Sequence, residues 1–320
     1  MLFHPRRTPQ PHIFGRLFSY RLMSSLSPLL STDEAHSLFK SSKRRVRFLD
    51  ASWYLDKSRD AKREFASERL PGAQFFDIDQ ISDSNSRLPH MLPTLNGMAF
   101  TEEIFGHAVM HLGVENHDTV IVYGGKHCFS PARCWWTFKY FGHDSVYILN
   151  GGITKWKNEK RDIETGEPHV LVIGAPYNAQ PNKALLASWK DVLDKVGTET
   201  QIIDARGAAR FYAQEPELRP GLRSGHIPGS INVPFGKLVY QEDYSLFRDV
   251  AEIKKTFCDA NVTMDGNSPI ITSCGSGVTA CLLTFGLHMV GKPLHMAPVY
   301  DGSWSEWGQR SDLPLKTDVE

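Results

Sequence analysis

The chain has 320 residues, 41% of them hydrophobic and 22% charged, enough for about two ordinary domains with full cores. Its 36 basic and 36 acidic residues balance, so no overall charge draws it to nucleic acid or to an anionic membrane. No apolar run is long enough to span a bilayer, and five cysteines without paired spacing argue against a disulfide framework and against a zinc site.

The chain opens on a stretch without Asp or Glu that reaches Thr32. It carries Arg6, Arg7, Arg16 and Arg21, with serines at 19, 24 and 25, and in a helix Ile13, Phe14, Leu17 and Phe18 would share one face. This is the composition of a mitochondrial transit peptide. Residues 1–25 are therefore set apart from the fold as a targeting segment, and a mitochondrial location is expected, with a cytoplasmic pool also allowed.

From residue 26 the chain reads as an α/β unit that is then repeated. Ser31-Thr32-Asp33-Glu34 predicts a capped helix start. Phe48-Leu49-Asp50-Ala51-Ser52 is an apolar run ending in Asp-Ala. Arg69-Leu70-Pro71-Gly72-Ala73 follows, then an apolar strand over Thr119–Tyr123, a Gly-containing loop, and a helix ending near Phe141-Gly142-His143. Asn150-Gly151-Gly152 with Trp156 closes the first unit, placed at 26–165. Residues 166–182 carry Gly166, Pro168, Gly174, Pro176 and Pro181, a composition suited to a linker.

The same landmarks return in the same order over 183–315. Ser188-Trp189-Lys190-Asp191 predicts the capped helix, and Ile202-Ile203-Asp204-Ala205-Arg206 the run ending in Asp-Ala. His226-Ile227-Pro228-Gly229-Ser230 matches the Pro-Gly stretch, and Pro269–Ser273 the apolar strand. Tyr300-Asp301-Gly302 with Trp307 ends the unit. Short β-rich runs alternating with helices predict two α/β domains, each a mainly parallel sheet flanked by helices.

Cys274 stands where the second apolar strand gives way to a helix starting near Val278, inside the loop Cys274-Gly275-Ser276-Gly277. Ligands of α/β folds gather at the C-terminal ends of parallel strands. There the loop N–H groups and the helix N-terminus converge on one point, and Gly275 and Gly277 permit the tight backbone. Such a nest favours a thiolate, which is the nucleophilic form. The bland alternative, a merely buried thiol, fits Cys134, Cys258 and Cys281. Cys128 lies in the matching loop of the first unit, where the position opposite Cys274 falls at about Gly125. A phosphatase loop is disfavoured, because Cys274 to Thr279 contains no Arg to clamp phosphate. An incoming anion must find its guanidinium elsewhere. Arg210 and Arg219 are candidates, with Arg206 and Arg223 as nearby alternatives.

The duplication, the loop Cys274-Gly275-Ser276-Gly277-Val278-Thr279-Ala280 and the motif His226-Ile227-Pro228-Gly229 resemble the rhodanese superfamily over nearly the whole chain after the N-terminal extension. Thiosulfate sulfurtransferases of that superfamily carry Cys-Arg-Lys-Gly-Val-Thr. Mercaptopyruvate sulfurtransferases carry the uncharged form found here, and Ala51–Leu55 and Phe75–Asp79 are similar to that second type. The resemblance implies a sulfurtransferase acting on 3-mercaptopyruvate, releasing pyruvate and leaving a persulfide on Cys274. A thioredoxin or small-thiol acceptor, or cyanide, then takes the sulfur, a route that supports hydrogen sulfide production. It implies that Arg210 and Arg219 hold the substrate's carboxylate and carbonyl, and that Gly275, Gly277, Val278 and Thr279 cradle the bound group. Ser276 is implied to form a relay with His90 and Asp79, with Asp77 as the second choice for the aspartate. No metal and no organic cofactor is implied. Phe129 departs from the tyrosine common at its position. A thiosulfate:cyanide sulfurtransferase and a non-catalytic sulfur-sensing or interaction module are the alternatives.

Overall fold

The computed structural model describes residues 26–41, 45–83, 86–92, 101–168 and 174–317; the targeting segment expected at 1–25 lies outside them. Two five-stranded sheets form, each parallel throughout. The first is built from β1 (Leu29–Leu30), β2 (Val46–Asp50), β3 (Gln74–Phe75), β4 (Thr119–Tyr123) and β5 (Val146–Leu149), in the spatial order β1-β5-β4-β2-β3. The second uses β6 (Leu186–Ala187), β7 (Gln201–Asp204), β8 (Ile231–Asn232), β11 (Ile270–Ser273) and β12 (Val299–Tyr300), in the order β6-β12-β11-β7-β8. Apart from an inserted hairpin, β9 (Val239–Tyr240) with β10 (Asp243–Phe247), the two topologies are the same.

The sequence dictates this arrangement locally. Thr119-Val-Ile-Val-Tyr123 and Ile270-Ile-Thr-Ser273 are buried at every position, as strands covered on both faces must be. Ser31 and Ser188 both cap their helices, with Glu34 and Asp191 reaching back to close a capping box. The two Pro-Gly motifs also behave alike. Arg69 bridges antiparallel to Glu164 and His226 to Lys316, and Gly72 and Gly229 both take the left-handed turn before the edge strand.

Sheet register aligns the halves residue by residue. Asp50 pairs with Tyr123 and Asp204 with Ser273, which makes Gly124, not Gly125, the counterpart of Cys274. In the same register Val122 pairs with Ile148 and Thr272 with Val299, so Asn150 matches Asp301 and Gly152 matches Ser303. The two loops differ in length, and the final landmarks are offset by one residue, so matching by motif alone slips there.

The helices Pro131–Tyr140 and Val278–Met289 follow the two central loops and pack against each other between the sheets. Trp135 meets Phe285 edge to face with centroids 4.8 Å apart. Nearly every residue of both helices is buried, so one apolar core runs through both halves. Cys134 and Cys281 lie in this core, where burial pushes both thiols up. Cys258, expected to be buried, is exposed instead. Its helix Val250–Asp259 turns Ile253 and Phe257 inward and leaves Cys258 on the outer face. Among the described residues, no helix is long and apolar enough to cross a membrane.

Candidate active site

Cys274 follows the last residue of β11, at the C-terminal edge of the second sheet and near its middle. Gly277 ends the loop with φ 79° and serves as the N-cap of the helix Val278–Met289. Cys274, Ser276, Gly277 and Val278 are buried, while Gly275 and Thr279 are half-buried. The next loop supports this one from below. Ser303 Oγ accepts the Cys274 N–H at 3.1 Å and lies 4.0 Å from Cys274 Sγ. Trp304 N–H donates to the Cys274 carbonyl, and Ser305 donates to that of Gly275 through both its N–H and its hydroxyl. The residue-type pattern around Cys274 did not identify Ser303. Its signal was the echo of Gly152: both residues sit near φ 50°, where a serine is uncommon.

The arginine candidates separate clearly. Arg206 is fully buried and spent on Asp204, on Glu217 at 2.6 Å and on the Gly225 carbonyl. Arg223 ties down the carbonyls of Trp307, Gly308, Arg310 and Leu313. Arg210 keeps only a loose contact, 3.5 Å, to the other Glu217 oxygen. A β-carbon at Gly275 would sit 3.9 Å from Arg210 Nη1, so this guanidinium overhangs the cysteine loop. Burial pushes the Arg219 guanidinium down from its usual value, while the neighbouring Cys274 and Asp79 act in the opposite direction. Arg219 is therefore within electrostatic reach of the thiol and of the first half.

The first half contributes His90 and Asp79. His90 Nδ1 lies 2.8 Å from Asp79 Oδ1 in an oblique approach, and the Asp79 carboxyl is held below the usual range chiefly by that ring. Trp53 donates its indole N–H to Asp79 Oδ2 at 2.9 Å and packs edge-on against the His90 ring. Asp77 is engaged elsewhere. It pairs with Lys62 at 2.6 Å and accepts the N–H groups of Asp79 and Gln80. Both His90 ring nitrogens are buried without a well-aligned hydrogen bond among the described residues. Ser276 makes no hydrogen bond to His90 there either, so two members of the expected relay touch and no direct contact joins the third to them. The link between the halves runs instead through Arg133, which donates to the His90 carbonyl and pairs with Asp301. Phe129 packs between Trp53 and Phe235.

The first half has no cysteine at the matching position, and its geometry leaves no room for one. A β-carbon at Gly124 would meet Cys128 Sγ at 2.8 Å and Pro131 at 3.0 Å. The longer loop there folds Cys128 back into the space that Cys274 uses in the second half. The Tyr54 hydroxyl crowds Gly125, held by Glu64. The β9–β10 hairpin then seals this loop from the other half: Asp243 Oδ1 accepts from His127 N–H, and Ser245 O from Gly151 N–H, both at 2.9 Å.

Comparison with known proteins agrees with this asymmetric pair of like sheets. The family model described as "Rhodanese-like domain" matches twice, over residues 31–159 and 188–310. The chain belongs to the rhodanese family. A mouse relative named 3-mercaptopyruvate sulfurtransferase is 40% identical, over 83% of this chain and 86% of its own length. A relative from Arabidopsis thaliana named thiosulfate/3-mercaptopyruvate sulfurtransferase 1, mitochondrial, is 37% identical, over 94% of this chain and 81% of its own. Among solved structures, SseA from Escherichia coli, titled as a 3-mercaptopyruvate sulfotransferase of "Rhodanese" fold, superposes with a TM-score of 0.74. It is 34% identical and covers 87% of this chain and 99% of its own. The two family matches fall on the two sheets, and only the second rhodanese domain carries a cysteine at the strand end.

Proposed function

We propose that the protein transfers the sulfur of 3-mercaptopyruvate to Cys274 and from there to a thiol acceptor. The observation that carries this reading is the placement of positive charge. The loop Cys274–Thr279 carries no charged side chain besides the thiol, while Arg210 overhangs Gly275 and Arg219 stands within electrostatic reach of the thiol. That arrangement suits a donor whose sulfur is neutral and whose negative charge sits on a carboxylate two carbons away. The names of the relatives agree with it.

In the proposed step the Cys274 thiolate attacks the sulfur on C3 of the substrate. The C3–S bond breaks, and its electron pair moves into the adjacent carbonyl to give the enolate of pyruvate. Arg210 and Arg219 stabilise the carboxylate and the developing oxyanion. The proton carried by the substrate thiol ends on C3, so that pyruvate leaves and Cys274 keeps a persulfide. Ser276, His90 and Asp79 form the path for that proton. The N–H groups of Gly275, Gly277, Val278 and Thr279 cradle the outer sulfur. A thiolate acceptor, from a small thiol or a thioredoxin-like protein, then attacks that sulfur and releases the Cys274 thiolate. Reduction of the resulting acceptor persulfide by further thiol liberates hydrogen sulfide. The acid-free N-terminal segment and the mitochondrial name of one relative support a mitochondrial location.

A comparison of initial rates with mercaptopyruvate and thiosulfate tests the reading. Mercaptopyruvate is expected to be the better donor by at least about tenfold in kcat/KM, with one pyruvate released per sulfur transferred. A preference for thiosulfate overturns it and makes the protein a thiosulfate:cyanide sulfurtransferase.

A further inference from the structure

The relay just proposed needs a histidine from one half and a cysteine loop from the other in fixed register. Arg133 and Asp301 form a buried pair at this seam, each about 2–4% exposed. Arg133 stands in the first turn of the first central helix, and Asp301 follows β12 in the second half. Both reach beyond each other. The second guanidinium nitrogen of Arg133 donates to the carbonyl of His90, a residue held at φ 60°. The second oxygen of Asp301 accepts the Leu92 N–H at 2.7 Å. The His90 segment is thus gripped on both sides by the pair.

The same pair touches the cysteine loop. A β-carbon at Gly277 would lie 2.7 Å from the Asp301 carbonyl oxygen, 2.9 Å from its Oδ1 and 3.1 Å from Arg133 Nη1. Gly277 is therefore required twice, by its left-handed φ and by the closeness of the pair. Breaking one partner of a buried pair leaves an uncompensated charge, so the geometry is held firmly while both are present.

We infer that Arg133 and Asp301 are positioning residues that set His90 against the Cys274 loop across the domain seam. The inference rests on the relay reading of His90. Neither residue contacts substrate; they act through the backbone of His90 and through Gly277.

A double-mutant cycle between Arg133→Lys and His90→Gln tests this, with kcat and KM for mercaptopyruvate and the melting temperature followed together. Arg133→Lys keeps the charge but loses the two-pronged grip. It should lower kcat roughly tenfold or more, with KM changed less than about threefold. In the His90→Gln background the same change should cost less than about twofold, because both act through one group. Multiplying losses, or unchanged kcat in Arg133→Lys, would overturn the inference while leaving the relay intact. If His90→Gln is itself silent, the relay reading fails and this inference with it. Asp301→Asn, which retains the acceptor for Leu92, reads the same cycle should Arg133→Lys not fold.

Discussion

Ser303 Oγ accepts the Cys274 N–H at 3.1 Å while Ser303 itself holds the left-handed backbone that its counterpart, Gly152, holds in the first half. A serine with φ 49° is strained by roughly 1 kcal/mol or more, where a glycine is not. The hydroxyl compensates by fixing the Cys274 amide and by donating to the Tyr300 carbonyl at 2.7 Å. Ser303→Gly should therefore change stability by less than about 1 kcal/mol, since relieved strain and lost hydrogen bonds offset each other. Sulfur loading onto Cys274 should slow by about tenfold. Stopped-flow loading together with chemical denaturation checks both halves of this expectation.

The position of Arg210 above Gly275 makes a prediction about donor choice. Replacing Gly275-Ser276 by Arg-Lys places new cations beside an existing guanidinium that would lie 3.9 Å from the new β-carbon. Like charges repel there, and the loop becomes suited to a dianion. The ratio of thiosulfate to mercaptopyruvate kcat/KM should rise by about tenfold or more. An unchanged ratio would show that loop charge does not select the donor.

Glu217 joins the buried Arg206 at 2.6 Å to Arg210, the proposed substrate-binding arginine, at 3.5 Å. Glu217→Gln leaves Arg206 with only Asp204 as a charged partner and frees Arg210 to turn away. A loss of about 1–3 kcal/mol in stability is expected, with a rise in KM for mercaptopyruvate. Thermal melting and steady-state kinetics measure the two effects separately.

Asp50 and Asp204 make a natural pair for a pH experiment. Asp204 has Arg206 against it, whereas Asp50 has Ser52 at that place, and burial raises its carboxyl from 3.8 to about 6. A folded-state value above the unfolded one means that the fold favours the protonated acid. Stability from this group is present below about pH 4 and is lost as pH rises through 6. Asp50→Asn should thus stabilise the protein by about 1–3 kcal/mol at pH 7.5, with the gain shrinking steadily toward pH 4. Melting temperatures across that range test the sign directly.

Much of this architecture was legible from local chemistry. Capping boxes at Ser31 and Ser188, the two Asp-Ala strand ends and the two Pro-Gly turns each follow from short-range rules, and each appears where its residues stand. The cysteine at the end of a buried strand was legible for the same reason. Register was not. Loop lengths after β4 and β11 differ, so only strand pairing shows that Gly124 matches Cys274 and Gly152 matches Ser303. Long-range partners were equally hidden. Nothing near Arg133 in the chain points to Asp301, 168 residues away. The resemblance alone singled out Arg210 and Arg219; why Arg206 and Arg223 cannot serve shows only in the partners the fold gives them.

Cys274 is the residue proposed to carry the transferred sulfur. Intact-protein and peptide mass spectrometry after brief exposure to 3-mercaptopyruvate, with released pyruvate counted, tests it most directly. A gain of one sulfur atom is expected on the peptide holding Cys274, with one pyruvate per chain in the absence of an acceptor, and neither in Cys274→Ser. Sulfur found on Cys128 or Cys258 instead, or pyruvate released by a folded Cys274→Ser chain, would contradict it.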